Sequence, residues 1–240
     1  MRVQTISIEG TSALSTSTLE AFVRNELSGN YWAAFPKDNI LLYPKETVEK
    51  DILAAFPSIR SAALRADTLT SITLSVAERT PSALWCGEAA ETASSTPSAP
   101  VSAAPHCLIL DEDGVAYAAA SSSSGTAYLP YYGALPGGGT TLPAQFLPPG
   151  SFKDLSALVA ALAGEANAGA PSRVVVDENN DVHLQFGNGF VLLFALGGDA
   201  GKLAQRFALA LASSPFAAHP LSSFQYLDMR FGDKLYFKLK

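Results

Sequence analysis

The order of hydrophobic periodicities in the first 80 residues constrains the fold more than any other feature of this chain. Residues 2–9 follow the pattern of a strand, and two helical stripes come next, over 17–29 and 44–57. A strand at 59–65 and a second with strict alternation at 72–76 close the series. The sequence therefore predicts a β-α-α-β-β unit, with both helices on one face of a three-stranded sheet.

Local signals place the ends of the two predicted helices. Ser17 and Glu20 form a capping-box pattern at the start of the first helix, and Gly29 provides its stop. Pro44 suits the start of the second helix, and Pro57 ends it.

The composition changes at Pro81, which predicts a domain boundary between residues 1–80 and 81–240. Ser, Ala, Gly and Pro dominate two stretches near 87–105 and 118–141, and we expect these to be low-complexity surface loops. The remaining patterns predict strands at 85–86 and 107–118, a helix at 151–163, a hairpin at 173–186, a strand at 190–196, a helix capped by Asp199 and a last hairpin over 225–239. The fold class is therefore α+β, and the second domain is a mostly antiparallel sheet with two packed helices.

Charge and hydropathy exclude some classes of protein. The net charge is −6 and the 16 Lys and Arg residues are scattered, which argues against a nucleic-acid partner. No apolar run reaches the roughly 18 to 20 residues that a spanning helix needs. The chain begins and ends inside strand patterns, which favours an ectodomain separated from an upstream membrane anchor; a cytoplasmic protein is the alternative.

The two cysteines, Cys86 and Cys107, flank the first low-complexity stretch. A pair of free thiols is one interpretation. If the runs on either side pair as antiparallel strands, however, the two cysteines face each other and can form a disulfide, which implies an oxidising compartment. A zinc site is not expected, because only His106 lies nearby and no second pair of ligands exists.

Three motifs that could indicate chemistry fail on spacing. Residues 197–202 suggest a phosphate loop, but Leu203 stands where Ser or Thr should bind magnesium. Residues 177–188 suggest a calcium loop, but Val182 replaces the required Gly and Asn188 replaces the bidentate Glu. The three histidines lie far apart without a nucleophile motif, so we expect no enzyme activity, no cofactor and no small-molecule substrate.

The segment Glu78-Arg79-Thr80-Pro81-Ser82-Ala83-Leu84-Trp85, at the end of the β-α-α-β-β pattern, resembles the end of the POTRA domain in the FtsQ/DivIB family of cell-division proteins. The strand ending at Gly10 and the strand pair over 59–76 resemble the same domain. In the second domain the resemblance continues through Leu108-Ile109-Leu110-Asp111, Leu129-Pro130, Gly201-Lys202-Leu203 and Leu227-Asp228-Met229-Arg230-Phe231. The low-complexity loops and the cysteine pair depart from the family pattern.

The resemblance implies a non-enzymatic scaffold at the extracytoplasmic face of the bacterial membrane, at the division site. Its partners would be FtsB-like and FtsL-like small coiled-coil membrane proteins, and the C-terminal edge strand would accept a partner strand. Such a strand offers unpaired N–H and C=O groups, which a partner completes by β-augmentation.

Within that last hairpin the alternation predicts that Leu235, Phe237 and Leu239 face the core. Tyr236, Lys238 and Lys240 should then face outward, near Arg230. We expect Arg230, Phe231, Tyr236 and Lys238 to form part of the partner contact. The alternative is that these lysines only protect a sheet edge from aggregation.

Two other functions remain open from the sequence. One is a POTRA-type docking module of another envelope assembly or secretion system, although a single such unit and no barrel pattern are visible. The other is an envelope enzyme, which would need a pocket with convergent titratable residues.

Overall fold

The computed structural model describes residues 1–31, 35–88, 107–121, 128–164 and 169–240. The fold is mixed α+β, and the chain divides into two compact units, Met1–Thr80 and Pro81–Lys240. This boundary falls at the same residues as the change in composition at Pro81.

The first unit contains a three-stranded sheet and two helices. Its elements are β1 (Thr5–Glu9), α1 (Thr16–Glu26), β2 (Asn30–Tyr31), β3 (Phe35–Pro36), α2 (Lys45–Ala55), β4 (Ile59–Ala66) and β5 (Ser71–Glu78). The sheet order is β1-β5-β4, with β1 parallel and β4 antiparallel to the central strand β5. β2 and β3 form a separate short hairpin.

The core of the first unit lies between the sheet and both helices. Ile72, Leu74 and Val76 alternate along β5 and are buried together with the inward residues of α1 and α2, which are Leu19, Val23, Val48 and Ile52. Residues two apart on a strand share a face, so both helices pack on the same side of the sheet.

Two local predictions for the first unit are wrong. Helix α1 begins at Thr16, not after a Ser17 cap, and the capping box is not formed, because Glu20 pairs with Arg24 instead. The first strand covers only Thr5–Glu9. Arg2, inside the predicted strand, makes an isolated bridge to Asn39, since β5 begins only at Ser71 and offers the earlier residues no partner.

The second unit is built around one long sheet. Its elements are β6 (Pro81–Trp85), β7 (Leu108–Asp111), β8 (Val115–Ala119), β9 (Pro130–Tyr132), β10 (Ala144–Gln145), α3 (Pro149–Ala163), β11 (Pro171–Val176), β12 (Asp181–Phe186), β13 (Val191–Ala195), α4 (Ala200–Ala212), β14 (Phe224–Asp228) and β15 (Tyr236–Leu239). The described strands form a ten-stranded sheet in the order β10-β8-β7-β6-β9-β11-β12-β13-β14-β15.

Most of this pairing is antiparallel, but three neighbouring pairs are parallel: β6 with β9, β9 with β11, and β13 with β14. Strand β9 lies in the middle of the sheet although it falls inside the stretch near 118–141 that we expected to be a loop. Its three residues are too few to show a period, yet Tyr131 is buried. The expected loop near 87–105 lies outside the described residues from position 89 onward.

Both helices pack on one face of the long sheet. Strand residues of one parity are buried in a single cluster with α3 and α4; they include Val174, Val176, Val182, Leu184, Phe186, Leu192 and Phe194. The intervening residues, among them Val175, His183 and Leu193, lie on the other face and remain partly exposed. The helix layer therefore covers one side of the sheet only, within the described residues.

Two hairpins of this sheet are turned by the same device. Asp111 Oδ1 accepts the backbone N–H groups of Asp113 and Val115, each at 2.9 Å. Asp177 Oδ1 likewise accepts those of Asn179 and Asp181, at 2.8 and 2.9 Å. Each carboxylate thereby replaces the backbone partner that a tight turn lacks.

Candidate partner-binding edge

The last strand, β15, lies at one end of the ten-stranded sheet. Within the described residues it pairs only with β14, antiparallel, through Asp228↔Tyr236, Leu227↔Phe237 and Tyr226↔Lys238. The other side of β15 is consequently a sheet edge without a strand beside it, which is the arrangement that β-augmentation requires.

The hydrogen bond from Lys240 shows which backbone groups face that edge. The N–H of Lys240 donates to Ser223 O at 2.9 Å, on the β14 side. Backbone groups of successive strand residues point to alternate sides, so Lys238 and Tyr236 also bond toward β14. The N–H and C=O groups of Phe237 and Leu239 therefore point outward.

The side chains of β15 are exposed on both faces. Phe231, Tyr236, Phe237 and Leu239 are between 42% and 54% exposed, and Leu235 is 37% exposed. The expectation that Leu235, Phe237 and Leu239 are core residues is therefore wrong. They point to the helix side of the sheet, but within the described residues the helix layer does not extend far enough to cover this strand.

Phe237 connects β15 to the core, because its ring contacts two buried aromatic rings. Its ring lies edge-on to Phe216 at 5.3 Å and to Phe224 at 5.9 Å, measured between centroids. Phe216 and Phe224 stack on each other at 4.3 Å. This aromatic group attaches β15 to the core while leaving part of Phe237 accessible.

Arg230, in the connection between β14 and β15, is held by two carboxylates. Its Nη1 lies 2.5 Å from Asp181 Oδ2 and its Nη2 lies 2.6 Å from Asp228 Oδ2. The hydrogen bond from Arg230 lowers the pKa of Asp228 against the opposing effect of its burial. The same two carboxylates raise the pKa of Arg230. The charge of Arg230 is thus compensated inside the protein, and its role here is to fix the connection.

Phe231 and Tyr236 form an exposed aromatic pair beside this ion pair network. Their ring centroids lie 5.4 Å apart in an edge-on arrangement, and the guanidinium of Arg230 lies 5.5 Å from the Phe231 ring. The turn that joins them is closed by Lys234 N–H donating to Phe231 O at 3.1 Å and by Arg206, which donates to Gly232 O. The pair is held in place and its outer surface is free for contact.

The four predicted site residues therefore lie in one region, in different roles. Phe231 and Tyr236 are adjacent, Arg230 orients them, and Lys238 is exposed one pleat further along the same face as Tyr236. Phe237 and Leu239, which provide the outward backbone groups, were expected in the core and not at the contact surface. The signal was present, since Leu235-Tyr236-Phe237 places large apolar side chains on both faces of the strand.

The disulfide between Cys86 and Cys107 is formed, with Cα atoms 4.2 Å apart. It closes the connection between β6 and β7, which pair antiparallel as expected from the sequence. Cys86 also donates its N–H to Tyr131 O, and Cys107 O accepts the N–H of Ala120. The disulfide thus links the ends of β6 and β7, and the backbone bonds of its two cysteines reach the outer neighbours β9 and β8, toward the opposite end of the sheet from β15.

The motifs that failed on spacing have structural roles. Asp199 caps α4 by accepting the N–H of Lys202 at 3.0 Å. Asp177 turns a hairpin, and His183 Nε2 lies 3.6 Å from its Oδ2. His106 lies outside the described residues. Among the residues that the structure describes, no group of three or more His, Cys, Asp or Glu side chains could hold a metal ion.

Glu78 and Arg79 both make hydrogen bonds to other parts of the first unit. Glu78 accepts the N–H groups of Ser12, Ala13 and Leu14 at 2.9 to 3.0 Å, together with the Ser12 hydroxyl. Burial raises its pKa, but these four hydrogen bonds outweigh that effect and lower the pKa to about 2. Arg79 donates to Pro57 O.

A groove in the second unit has a volume of about 510 Å³ and lies between α3 and strands β6, β9 and β11. Its described lining is mostly small or apolar, and its one ionisable side chain is Tyr131, whose pKa burial raises. A lining of this kind offers no pair of groups for acid–base chemistry.

No helix in the described parts of the chain combines the length and the hydrophobicity that crossing a bilayer requires. No family model matches the chain, and no curated protein matches it with significant sequence similarity.

Proposed function

We propose that this protein is a non-enzymatic scaffold of the bacterial division complex, which binds small coiled-coil membrane proteins of the FtsB and FtsL type by adding a partner strand to β15. The observation that carries this proposal is the open outer edge of β15, flanked by exposed apolar side chains on both faces. An edge of this kind supplies both the backbone hydrogen bonds and the side-chain contacts of strand addition.

The first unit supports the choice of family. Apart from the short β2–β3 hairpin, its β-α-α-β-β order is the one expected from the resemblance to a POTRA domain at residues 78–85. The second unit adds a mostly antiparallel sheet that ends in the strand proposed to bind. The proposed location is the extracytoplasmic face of the membrane at the division site, and the disulfide fits an oxidising compartment.

The charges around β15 favour a different protein over a second copy of this chain. Lys234, Lys238 and Lys240 are all exposed on this short hairpin. Pairing two β15 strands about a twofold axis would bring six ammonium groups together, and like charges opposite each other on paired strands are destabilising. A partner strand with acidic and apolar residues avoids that repulsion.

The test is a binding assay between the purified chain and the extracytoplasmic segments of the small division proteins. Phe231→Glu and Tyr236→Glu place a charge on the contact surface, and we expect each to lower the affinity at least tenfold, because the partner's apolar side chains would then meet a carboxylate. Leu69→Glu is the matched control, since Leu69 is 56% exposed and lies on the β4–β5 turn of the first unit.

Equal affinities of the wild type and both hairpin variants would contradict the assignment of the site. Thermal unfolding of each variant separates the loss of binding from the loss of folding, and we expect little change in the unfolding temperature because both side chains are about half exposed.

A further inference from the structure

Three leucines in the first unit are exposed on turns instead of being packed in its core. Leu41 is 78% exposed, Leu42 is 49% exposed and Leu69 is 56% exposed. Leu41 and Leu42 lie in the turn before α2, and Leu69 lies at the tip of the β4–β5 hairpin. Within the described residues, most of the exposed large apolar side chains of this unit are on these two turns and at Met1 beside them.

The backbone brings the two turns to the same end of the sheet. Thr70 O, next to Leu69, accepts the N–H groups of Gln4 and Thr5 at 2.8 and 3.2 Å. Just before these residues, Val3 N–H donates to Asp38 O at 2.8 Å, and Ile40 N–H donates to Met1 O at 3.3 Å. An extended chain advances roughly 3.3 Å per residue, so the N-terminal segment contacts the two turns at points roughly 10 Å apart along its length.

Both turns are held by their own hydrogen bonds, so the leucines are fixed in exposed positions. In the first turn, Asn39 Oδ1 accepts the N–H of Leu41, and Asn39 O accepts that of Leu42. In the second, the Thr68 hydroxyl accepts the N–H groups of Thr70 and Ser71. The leucines therefore lie on two ordered, convex tips.

The side chains beside these tips carry a small excess of positive charge. Arg2, Lys37 and Arg65 lie on the same segments as the tips, against the two carboxylates Asp38 and Asp67, in a chain whose net charge is −6. Arg2 and Arg65 are exposed, and their pairs with Asp38 and Asp67 are surface ion pairs of 3.8 and 3.0 Å. Such pairs are weak, so the cations can exchange a carboxylate for a phosphate.

We propose that this end of the first unit binds the surface of a lipid bilayer, with the tips of Leu41, Leu42 and Leu69 inserted among the headgroups and with Arg2, Lys37 and Arg65 contacting lipid phosphates.

A specific protein interface buries about 800 Å² on each partner as one complementary patch. The three leucines lie on two separate turns and present less apolar surface than one such patch. A bilayer surface accepts each tip independently, because insertion needs only apolar area and nearby cations. This proposal is independent of strand addition at β15.

The first experiment measures cosedimentation of the chain with vesicles of phosphatidylcholine, with and without phosphatidylglycerol. We expect partitioning to the vesicles, stronger with the anionic lipid. Replacing both Leu41 and Leu42 by Ser, or Leu69 by Ser, should lower the partition coefficient about fivefold or more, as the loss of partly inserted leucine area requires. Leu209→Ser, on α4 of the second unit, should leave it unchanged.

The second experiment tests insertion directly. Leu41→Trp places a fluorophore on the first tip, and vesicles that contain brominated lipid should quench it, whereas Leu209→Trp should show no additional quenching. Equal partitioning of the wild type and the Ser variants, or equal quenching of both Trp variants, would overturn the proposal. Concentration-dependent dimerisation lost in the Ser variants would overturn it as well, since the tips would then contact a second copy.

Discussion

At the scale of single residues, the strongest electrostatic features of this protein stabilise loops and connections. Glu78 accepts hydrogen bonds from three successive backbone amides before α1. Arg230, in the connection between β14 and β15, pairs with two carboxylates. Neither group could be assigned to these partners from the sequence, because the bonds of Glu78 join residues more than 60 positions apart and one of the carboxylates on Arg230 lies on β12. A charged residue near a proposed contact can therefore hold its neighbours in position without touching the partner itself.

The carboxylate of Glu78 makes the stability of the first unit depend on pH. The pKa of Glu78 is lowered in the folded state. Its contribution to stability is therefore complete above the pKa that Glu78 has in the unfolded chain, and it is lost as the pH falls toward 2. We expect Glu78→Gln to lower the free energy of unfolding at pH 7 by about 1 to 2 kcal/mol, as expected for lost hydrogen bonds to a charged acceptor.

Urea denaturation at pH 7 and at pH 3 measures this effect, and the difference between wild type and Glu78→Gln should shrink at the lower pH. Glu20→Gln is the control, because Glu20 is partly exposed and its described ion pair is with Arg24 on the same helix. A difference that is the same at both pH values would contradict the role assigned to the charge.

Arg230 should contribute to stability through Asp228, which is 5% exposed. Arg230→Ala leaves this buried carboxylate without its cation, and we expect the free energy of unfolding to fall by about 2 to 4 kcal/mol. Arg230→Lys should recover only part of that loss, because an ammonium cannot bind two carboxylates with the planar geometry of a guanidinium. Denaturant unfolding of both variants would test this, and an unchanged midpoint for Arg230→Ala would refute it.

At the scale of elements, the strongly periodic strands and helices followed the sequence, whereas short elements and ends did not. The alternation of Ile72, Leu74 and Val76 predicted β5, and Asn179-Asn180 predicted the turn of the β11–β12 hairpin. Strand β9 was missed because three residues carry no period, and its place in the sheet is set by Tyr131 packing in the core. β15 has a strand pattern, but alternation alone could not show that neither α3 nor α4 covers it.

The two hairpins turned by Asp111 and Asp177 offer a comparison within one sheet. Each carboxylate accepts two backbone amides, but Asp111 is buried and Asp177 is partly exposed. We expect Asp177→Ala to lower the free energy of unfolding by about 1 kcal/mol and Asp111→Ala to lower it more, because both hydrogen bonds of Asp111 are partly buried and water replaces the lost acceptor less readily there. Glu178→Ala is the control, and the opposite ranking in thermal unfolding would contradict this account.

At the scale of the whole molecule, the chain consists of two compact units, and its candidate contacts are surfaces instead of a pocket.

The disulfide between Cys86 and Cys107 spans 21 positions. In the chain-entropy model, closing a loop of this size stabilises the folded state by about 3 kcal/mol. Reduction should lower the unfolding temperature, and the intact mass without reductant should be about 2 Da below the reduced mass, as the loss of two hydrogens requires. Two thiols that react with an alkylating reagent in the native protein would contradict the bond.

The measurement that tests the central proposal most directly is the affinity of the division-protein segments for Leu239→Pro, compared with Leu239→Ala. Both variants remove the leucine side chain. Only the proline variant also removes the N–H of residue 239, which points to the open edge, and this change leaves the hydrogen bonds toward β14 in place. Strand addition predicts that Pro binds about five to ten times more weakly than Ala, the effect of one lost hydrogen bond. Equal affinities of the two folded variants would contradict strand addition at β15.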